Sequence, residues 1–254
     1  MTYSIIGRCA RTGRLGLGIT TFSLAVGGRC EGIAANVGIC KTQAFPNRTN
    51  DPLGIELLAE GYLPARVMEM FAANDSEHEY RQIAIMDREG RVAAHTGSGT
   101  RGWSGHQIGA DCVAFGNGLV GRQVLDGLIA GFNAKPEHAL EFRLMRALEG
   151  GRDAGGQGDA QSHRPERSAA IKVVDRLDYP DIDVRVDVHP TAVEELRRVL
   201  EEFKLYEAFY RERGRNPSKA IPQDVFVAQL QAKRAAPSGS AGNLPRVNGE
   251  GNRR

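Results

Sequence analysis

Period-two alternation organises the start of the chain. Leu15-Gly16-Leu17-Gly18-Ile19-Thr20-Thr21 sets Leu15, Leu17, Ile19 and Thr21 on one face and Gly16, Gly18 and Thr20 on the other, the pattern of a strand with two distinct faces. A glycine face lets another backbone, or a ligand, come close. The extended run Tyr3–Arg8, with a turn at Thr12-Gly13, completes a hairpin with it. Ile33–Thr42 reads as a third strand whose small apolar residues predict burial on both faces.

Helical periodicity then takes over. Asp51-Pro52 reads as an N-cap followed by a proline at the first helical position, Gly61 ends that helix, and a second helix covers 64–73. A hairpin of Gln82–Met86 and Arg91–His95 follows, then a strand over Asp111–Phe115. Helices predicted at 120–133 and 136–148 precede a glycine-rich, charged loop over 150–167, long for a compact domain. Strands Ser168–Val174 and Asp183–Asp187 lead to a last helix, with Thr191 and Glu194 as a capping box and Leu196, Val199, Leu200, Phe203 and Tyr210 as its apolar stripe. Blocks of consecutive strands exclude a simple alternating parallel sheet and predict antiparallel sheets covered by helices.

Composition narrows the class. The 254 residues, 41% hydrophobic and 25% charged, are those of a globular chain able to bury a core without staples. No apolar run is long enough to span a bilayer, and residues 1–14 lack a continuous apolar stretch, so neither a membrane segment nor a secretory signal is expected. Four cysteines without C-x-x-C spacing fit a reduced, cytoplasmic setting. The net charge of +2 hides an asymmetry, because residues 207–254 carry nine Lys/Arg against four Asp/Glu. The expected organisation is a body over 1–212, an extension over 213–236 and a disordered tail over 237–254. No nucleic-acid module is recognisable. Phe203, Tyr206, Phe209 and Tyr210, followed after residues 217–222 by Val225, Phe226, Val227 and Leu230, exceed what one sheet face needs and predict a homodimer.

Phosphate-loop, dinucleotide, H-E-x-x-H and G-x-S-x-G motifs are absent, and the six histidines show no ligand spacing, so no metal or other cofactor is expected. Thr2 is the sharper feature. A small residue at position 2 permits removal of the initiator Met, leaving a hydroxyl nucleophile and an α-amino group on one residue. An α-amine with a pKa of roughly 8 is partly free base at neutral pH and can take the hydroxyl proton directly or through water. Thr2 would start the first strand, on rigid scaffold.

The segments TYSIIGRCARTGRLGLGITTFSLAVG, KTQAFPNR, PLGIELLAEG, IAIMDREGRVAAHTG, WSGH, GNGL and SAAIKVV resemble the DUF1028 family over roughly residues 2–210. That family is similar to the N-terminal-nucleophile (Ntn) hydrolases. The resemblance implies an α+β fold, a four-layer αββα sandwich of two antiparallel sheets, and an amidohydrolase in which Thr2 attacks a small amide. The alternative is a non-catalytic ligand-binding or structural oligomeric protein of the same fold. For the supporting residues the resemblance leaves paired readings. Asn117, between strand and helix, donates to the oxyanion or caps the helix. Gln43 and Asn47 bond substrate or their own loop. Trp103 and His106, in the glycine loop 97–109, wall a pocket, or Trp103 packs on the core. Asp159 orients the site and Arg167, standing where the family carries Gln, binds an acidic substrate. Lys41 departs from the small apolar residue implied there; near Thr2 it would lower the amine pKa. Thr2, Asn117, Trp103, His106 and Asp159 are expected to converge on one pocket partly covered by the 150–167 loop.

Overall fold

The computed structural model describes residues 1–159, 161–177 and 179–235; the tail expected over 237–254 lies outside them. The chain divides into two compact units, Met1–Phe203 and the part from Lys204 onward.

The first unit is a mixed α+β structure. Its strands are β1 (Thr2–Arg8), β2 (Leu15–Thr21), β3 (Ile33–Ala34), β4 (Gly38–Ala44), β5 (Arg81–Asp87), β6 (Val92–Thr96), β7 (Trp103–Gly109), β8 (Cys112–Leu119), β9 (Gln157–Gly158), β10 (His163–Arg164), β11 (Ser168–Val174) and β12 (Ile182–Val186). Helices α1 (Asn50–Ala59), α2 (Pro64–Asn74), α3 (Gln123–Asn133), α4 (Leu140–Asp153) and α5 (Ala192–Arg215) are joined in the second unit by α6 (Gln223–Ala235). The strands form two antiparallel sheets. The larger runs β10-β9-β8-β1-β2-β11-β12, with β7 also on β8, and the smaller runs β3-β4-β5-β6.

Alternation along the strands sorts the side chains into three apolar clusters. Tyr3, Ile5, Ala114, Ile171 and Val173 pack with Leu128, Leu144, Leu148 and Leu196 of α3, α4 and α5. Ile6, Leu15, Leu17, Val113 and Phe115 of the larger sheet meet Ile39, Ala84 and Met86 of the smaller. Cys40, Ile83 and Ile85 pack with Leu57, Leu58, Val67 and Phe71 of α1 and α2. Each buried Leu, Ile or Phe contributes roughly 1.5–3 kcal/mol.

The glycine face of β2 does admit a close neighbour, and it is helix α4. A Cβ at Gly16 would lie 2.6 Å from Leu144 Cδ1. The same logic extends α4 past its predicted end. A Cβ at Gly150 would lie 2.3 Å from the Gly127 carbonyl oxygen, so glycine here permits helix–helix approach instead of breaking the helix. The predicted 150–167 loop is therefore the last turn of α4 followed by the β9–β10 hairpin. The predicted loop 97–109 becomes β7 over its second half, with a register irregularity at Trp103/Ser104. Strand β8 runs on to Leu119, which places Asn117 inside it. Two caps differ as well. Asp51 lies within the first turn of α1, and Thr191 bonds the Nδ1 of His189 (3.2 Å) while Glu194 pairs with Arg152 (3.0 Å).

In the second unit the aromatic residues of α5 and α6 pack on one another. Phe209 stacks on Phe226 with ring centroids 4.2 Å apart, and Tyr206 meets Phe226 edge-on at 5.3 Å. Part of the apolar surface that predicted a dimer is covered within this hairpin. Tyr210, Ile221 and Val225 stay exposed.

Candidate functional site

Strand β1 has partners on both sides. Thr2, its first residue, is paired with Thr21 of β2 and with Asn117 of β8. Thr2 shares its face with Ser4 and Ile6, and Ile6 belongs to the cluster between the sheets. A cavity of about 90 Å3 opens at this end, lined by Met1, Thr2, Thr21, Lys41, Thr42 and Gln43, with Ile19, Leu24, Val26 and Pro46 as apolar wall and Arg29 and Arg48 as cations. That space holds several water-sized groups. It fits a small molecule.

The hydroxyl geometry is directional. Thr21 donates to the Met1 carbonyl oxygen at 2.6 Å, and its oxygen accepts the Ser23 N–H at 3.2 Å. With that proton committed, Thr2 is the donor in the 3.0 Å contact between the two hydroxyls. Met1 therefore sits in the pocket and fixes Thr21. Burial pushes the Met1 amine below its ordinary pKa.

Lys41 is the unexpected cation. It is buried, and its Nζ donates to Asp51 Oδ2 at 2.5 Å, while Asp51 Oδ1 accepts the Thr42 N–H at 2.7 Å. Asp51 is thus spent on β4 rather than on capping α1. Burial raises the Asp51 pKa to about 6, against the opposing pull of Lys41. An ammonium has three donors and Asp51 takes one.

Behind the pocket lies a buried amide network. Ser4 donates to Gln43 Oε1 (2.7 Å), and Gln43 Nε2 donates to Gln82 Oε1 (2.8 Å) and toward the Phe115 carbonyl (3.4 Å). Asn117 Nδ2 also donates to Gln82 Oε1, at 3.1 Å. Gln82 Nε2 shares two hydrogens among Thr96 Oγ (3.0 Å), Gly105 O (3.0 Å) and Gly116 O (2.8 Å). Thr96, accepting from Gln82, turns its own hydrogen to His106 Nδ1 at 2.9 Å. Desolvation pushes the His106 pKa down, which favours the neutral ring that can accept.

The structure thus brings together Thr2, Gln43 and Asn117, but only Thr2 and Gln43 line the pocket. Asn117 gives its amide to Gln82 and caps no helix. His106 reaches the network from its exposed end. Trp103 lies over Gly105 on the α3 side of the sheet, away from the smaller sheet, because odd-numbered positions of β7 face the helix. Asp159 sits exposed at the tip of the β9–β10 hairpin, accepting the Gln161 N–H at 2.9 Å. Arg167 donates its backbone N–H to the Thr21 carbonyl (2.8 Å) and holds its guanidinium over the Phe22 ring at 5.4 Å. Asn47 bonds its own loop, accepting from the Thr49 hydroxyl at 2.7 Å. The expected convergence of Trp103 and Asp159 on the Thr2 pocket is not what these positions give. Thr21, Arg29, Arg48, Asp51 and Gln82 escaped the sequence reading. The alternation that put Thr21 on the Leu15–Leu17–Ile19 face carried the signal for one of them; the others join through tertiary pairing.

Among the described residues no group of three or more His, Cys, Asp or Glu side chains is gathered as a metal-ligand set, and no helix is long and apolar enough to cross a membrane.

Two antiparallel sheets, six helices among the described residues and a threonine-headed central strand beside a polar pocket define the class. The chain belongs to DUF1028, a family of unknown function, whose model matches residues 2–196. It is similar to the crystal structure of the DUF1028 protein SPO2555 from Silicibacter pomeroyi, with 29% identity and a TM-score of 0.70 over 79% of this chain and 88% of that one. No curated protein matches it.

Proposed function

We propose that this chain is an Ntn-type amidohydrolase, a four-layer αββα sandwich in which Thr2, freed of Met1, attacks the carbonyl of a small amide. The layering is supported by the three apolar clusters: α1 and α2 against the smaller sheet, sheet against sheet, and the larger sheet against α3, α4 and α5. The observation that carries the mechanism is the Thr2 hydroxyl at 3.0 Å from Thr21, at the head of a doubly paired strand and in the wall of a cavity.

Removal of Met1 enlarges the cavity and releases the Thr21 hydroxyl from the Met1 carbonyl. The Thr2 amine then lies one residue further in than a terminus whose pKa burial already depresses. The charge of Lys41, lining the same cavity, adds to that depression and favours the free base at neutral pH. The amine takes the hydroxyl proton, the oxygen adds to the carbonyl, and the amine returns the proton to the leaving nitrogen as the C–N bond breaks; a water that gives its proton to the same amine then attacks the Thr2 ester, releasing the carboxylic acid and restoring the hydroxyl. Lys41 supplies positive charge to the oxyanion, the role first expected of Asn117. A homodimer through the exposed Tyr210, Ile221 and Val225 is part of the same reading, and light scattering at micromolar concentration checks it.

The experiment is intact-mass analysis followed by an amide-substrate screen. Loss of Met1 is expected, with turnover abolished in Thr2→Ala and partly kept in Thr2→Ser, which retains hydroxyl and amine. A retained Met1, or equal turnover in Thr2→Ala, would replace this reading with a non-catalytic ligand-binding protein.

A further inference from the structure

Among the described residues, three cations line the Thr2 cavity and no Asp or Glu does. Their charges are unequally spent. Lys41 is paired with Asp51 at 2.5 Å. Arg48 holds Glu31 through Nε (3.0 Å) and a terminal nitrogen (2.6 Å), both on Oε1. The Arg29 side chain makes no ion pair or hydrogen bond to a described residue and is exposed at the rim.

Its backbone, by contrast, is pinned. Arg29 ends the 3-10 turn Val26–Arg29. The Ala25 N–H donates to the Asp187 carbonyl (2.8 Å), the Val26 N–H to Ser168 Oγ (3.2 Å), and Cys30 Sγ to the Val26 carbonyl (3.5 Å). A Cβ at Gly27 would meet Arg185 Cβ at 2.8 Å, so the turn is pressed against the larger sheet. A charged fork on a fixed turn, beside an apolar wall of Leu24, Val26 and Pro46, is a place for one anionic end of a small molecule.

We infer that Arg29 is the carboxylate-binding residue of this site and that the substrate is a small amide bearing one carboxylate group. The inference rests on the amidohydrolase reading for the role of Thr2 and adds the substrate class. One unbalanced positive charge matches one negative charge, and a planar guanidinium meets a carboxylate with two parallel hydrogen bonds. A phosphate dianion would leave a charge uncompensated. The acid-recognising role expected of Arg167 thus passes to Arg29.

Calorimetry on full-length Thr2→Ala protein, which binds without turnover, tests this with N-acetylglycine, its uncharged counterpart N-acetylglycinamide, and inorganic phosphate. N-acetylglycine is expected to bind at least tenfold more tightly than the amide, on the order of one charged hydrogen-bonded contact. Arg29→Gln should bring that ratio near one, while Arg48→Gln, whose charge is already held by Glu31, keeps most of it. Equal affinity for acid and amide, a ratio unchanged in Arg29→Gln, phosphate binding as tightly as N-acetylglycine, or no saturable binding at millimolar concentration would each overturn the inference. Discrimination preserved in a protein whose wild type hydrolyses no amide would remove the amidohydrolase reading and leave the carboxylate subsite standing.

Discussion

The two ends of the layer between the sheets are built by the same strands and differ in chemistry. Along β1 the inward residues run Thr2, Ser4, Ile6; along β2, Thr21, Ile19, Leu17, Leu15; along β4, Gln43, Lys41, Ile39. The inward face of β5 runs Gln82, Ala84, Met86, and that of β8 Asn117, Phe115, Val113. Five strands thus switch from polar to apolar in the same direction. Each buried polar group gains only about 1 kcal/mol net from a hydrogen bond and costs about 1–3 kcal/mol if left without one. Apolar residues would have filled the polar end more cheaply. A protein that keeps Lys41, Gln43, Gln82 and Asn117 there is spending stability on a site.

Charge at the polar end gives the largest expected effect. Lys41→Met leaves the Asp51 carboxylate buried without a counter-charge and should cost about 3–5 kcal/mol of unfolding free energy in urea. The charge-free pair Lys41→Met with Asp51→Asn should recover most of that loss. If Lys41→Met alone is neutral, the pair is not what holds this end together.

Deep in the apolar end, Leu17→Ala removes a side chain 1% exposed between the sheets and should cost about 2–5 kcal/mol. Affinity at the Thr2 cavity should stay unchanged, because Leu17 is not part of its wall. An altered ligand affinity would mean that the two ends are coupled.

The pH dependence distinguishes the ends without altering bulk. Asp51 has a folded pKa of about 6 against roughly 3.9 in an unfolded chain. Its raised value means a stabilising contribution fully present below roughly pH 4 and lost as pH rises through about 6. Relative to the charge-free pair, the wild type should therefore gain up to about 3 kcal/mol as pH falls from 7 to 4. A flat difference between the two denaturation series over that window would show that Asp51 is ionised throughout.

The smallest effect is expected at the hub of the amides. Gln82→Leu strips Gln43 and Asn117 of their shared acceptor, at a cost of about 1–3 kcal/mol. It should also release the His106 ring from the Thr96 relay, visible as a change in the His106 titration by NMR.

Much of the scaffold was legible along the chain. Alternation over Leu15–Thr21 fixed which β2 residues enter the layer between the sheets, and the blocks of strands implied antiparallel sheets. The errors sit where tertiary contacts override local signals. Gly150 and Gly151 read as a loop, yet they let α4 continue past Gly127 of α3. Asp51 read as a helix cap because its partner Lys41, ten residues earlier, is invisible to capping rules.

The site divides in the same way. Thr2 is legible as a candidate because the chemistry proposed for it is local: the hydroxyl, and the amine that loss of Met1 would free, belong to one residue at one end of a strand. The rest of the pocket depends on which strands lie side by side. The β1–β8 register brings Asn117 to Thr2, packing of one sheet on the other brings Gln43 and Gln82 to Ser4, and a turn pressed against the larger sheet brings Arg29 to the rim. Period-two and helical patterns report which face a residue occupies, since that follows from backbone geometry alone. They carry nothing about what the face meets, because that is set by long-range pairing. For this chain, sequence determined the strand faces and the nucleophile candidate; only the packing of two sheets decided which cation stays unpaired.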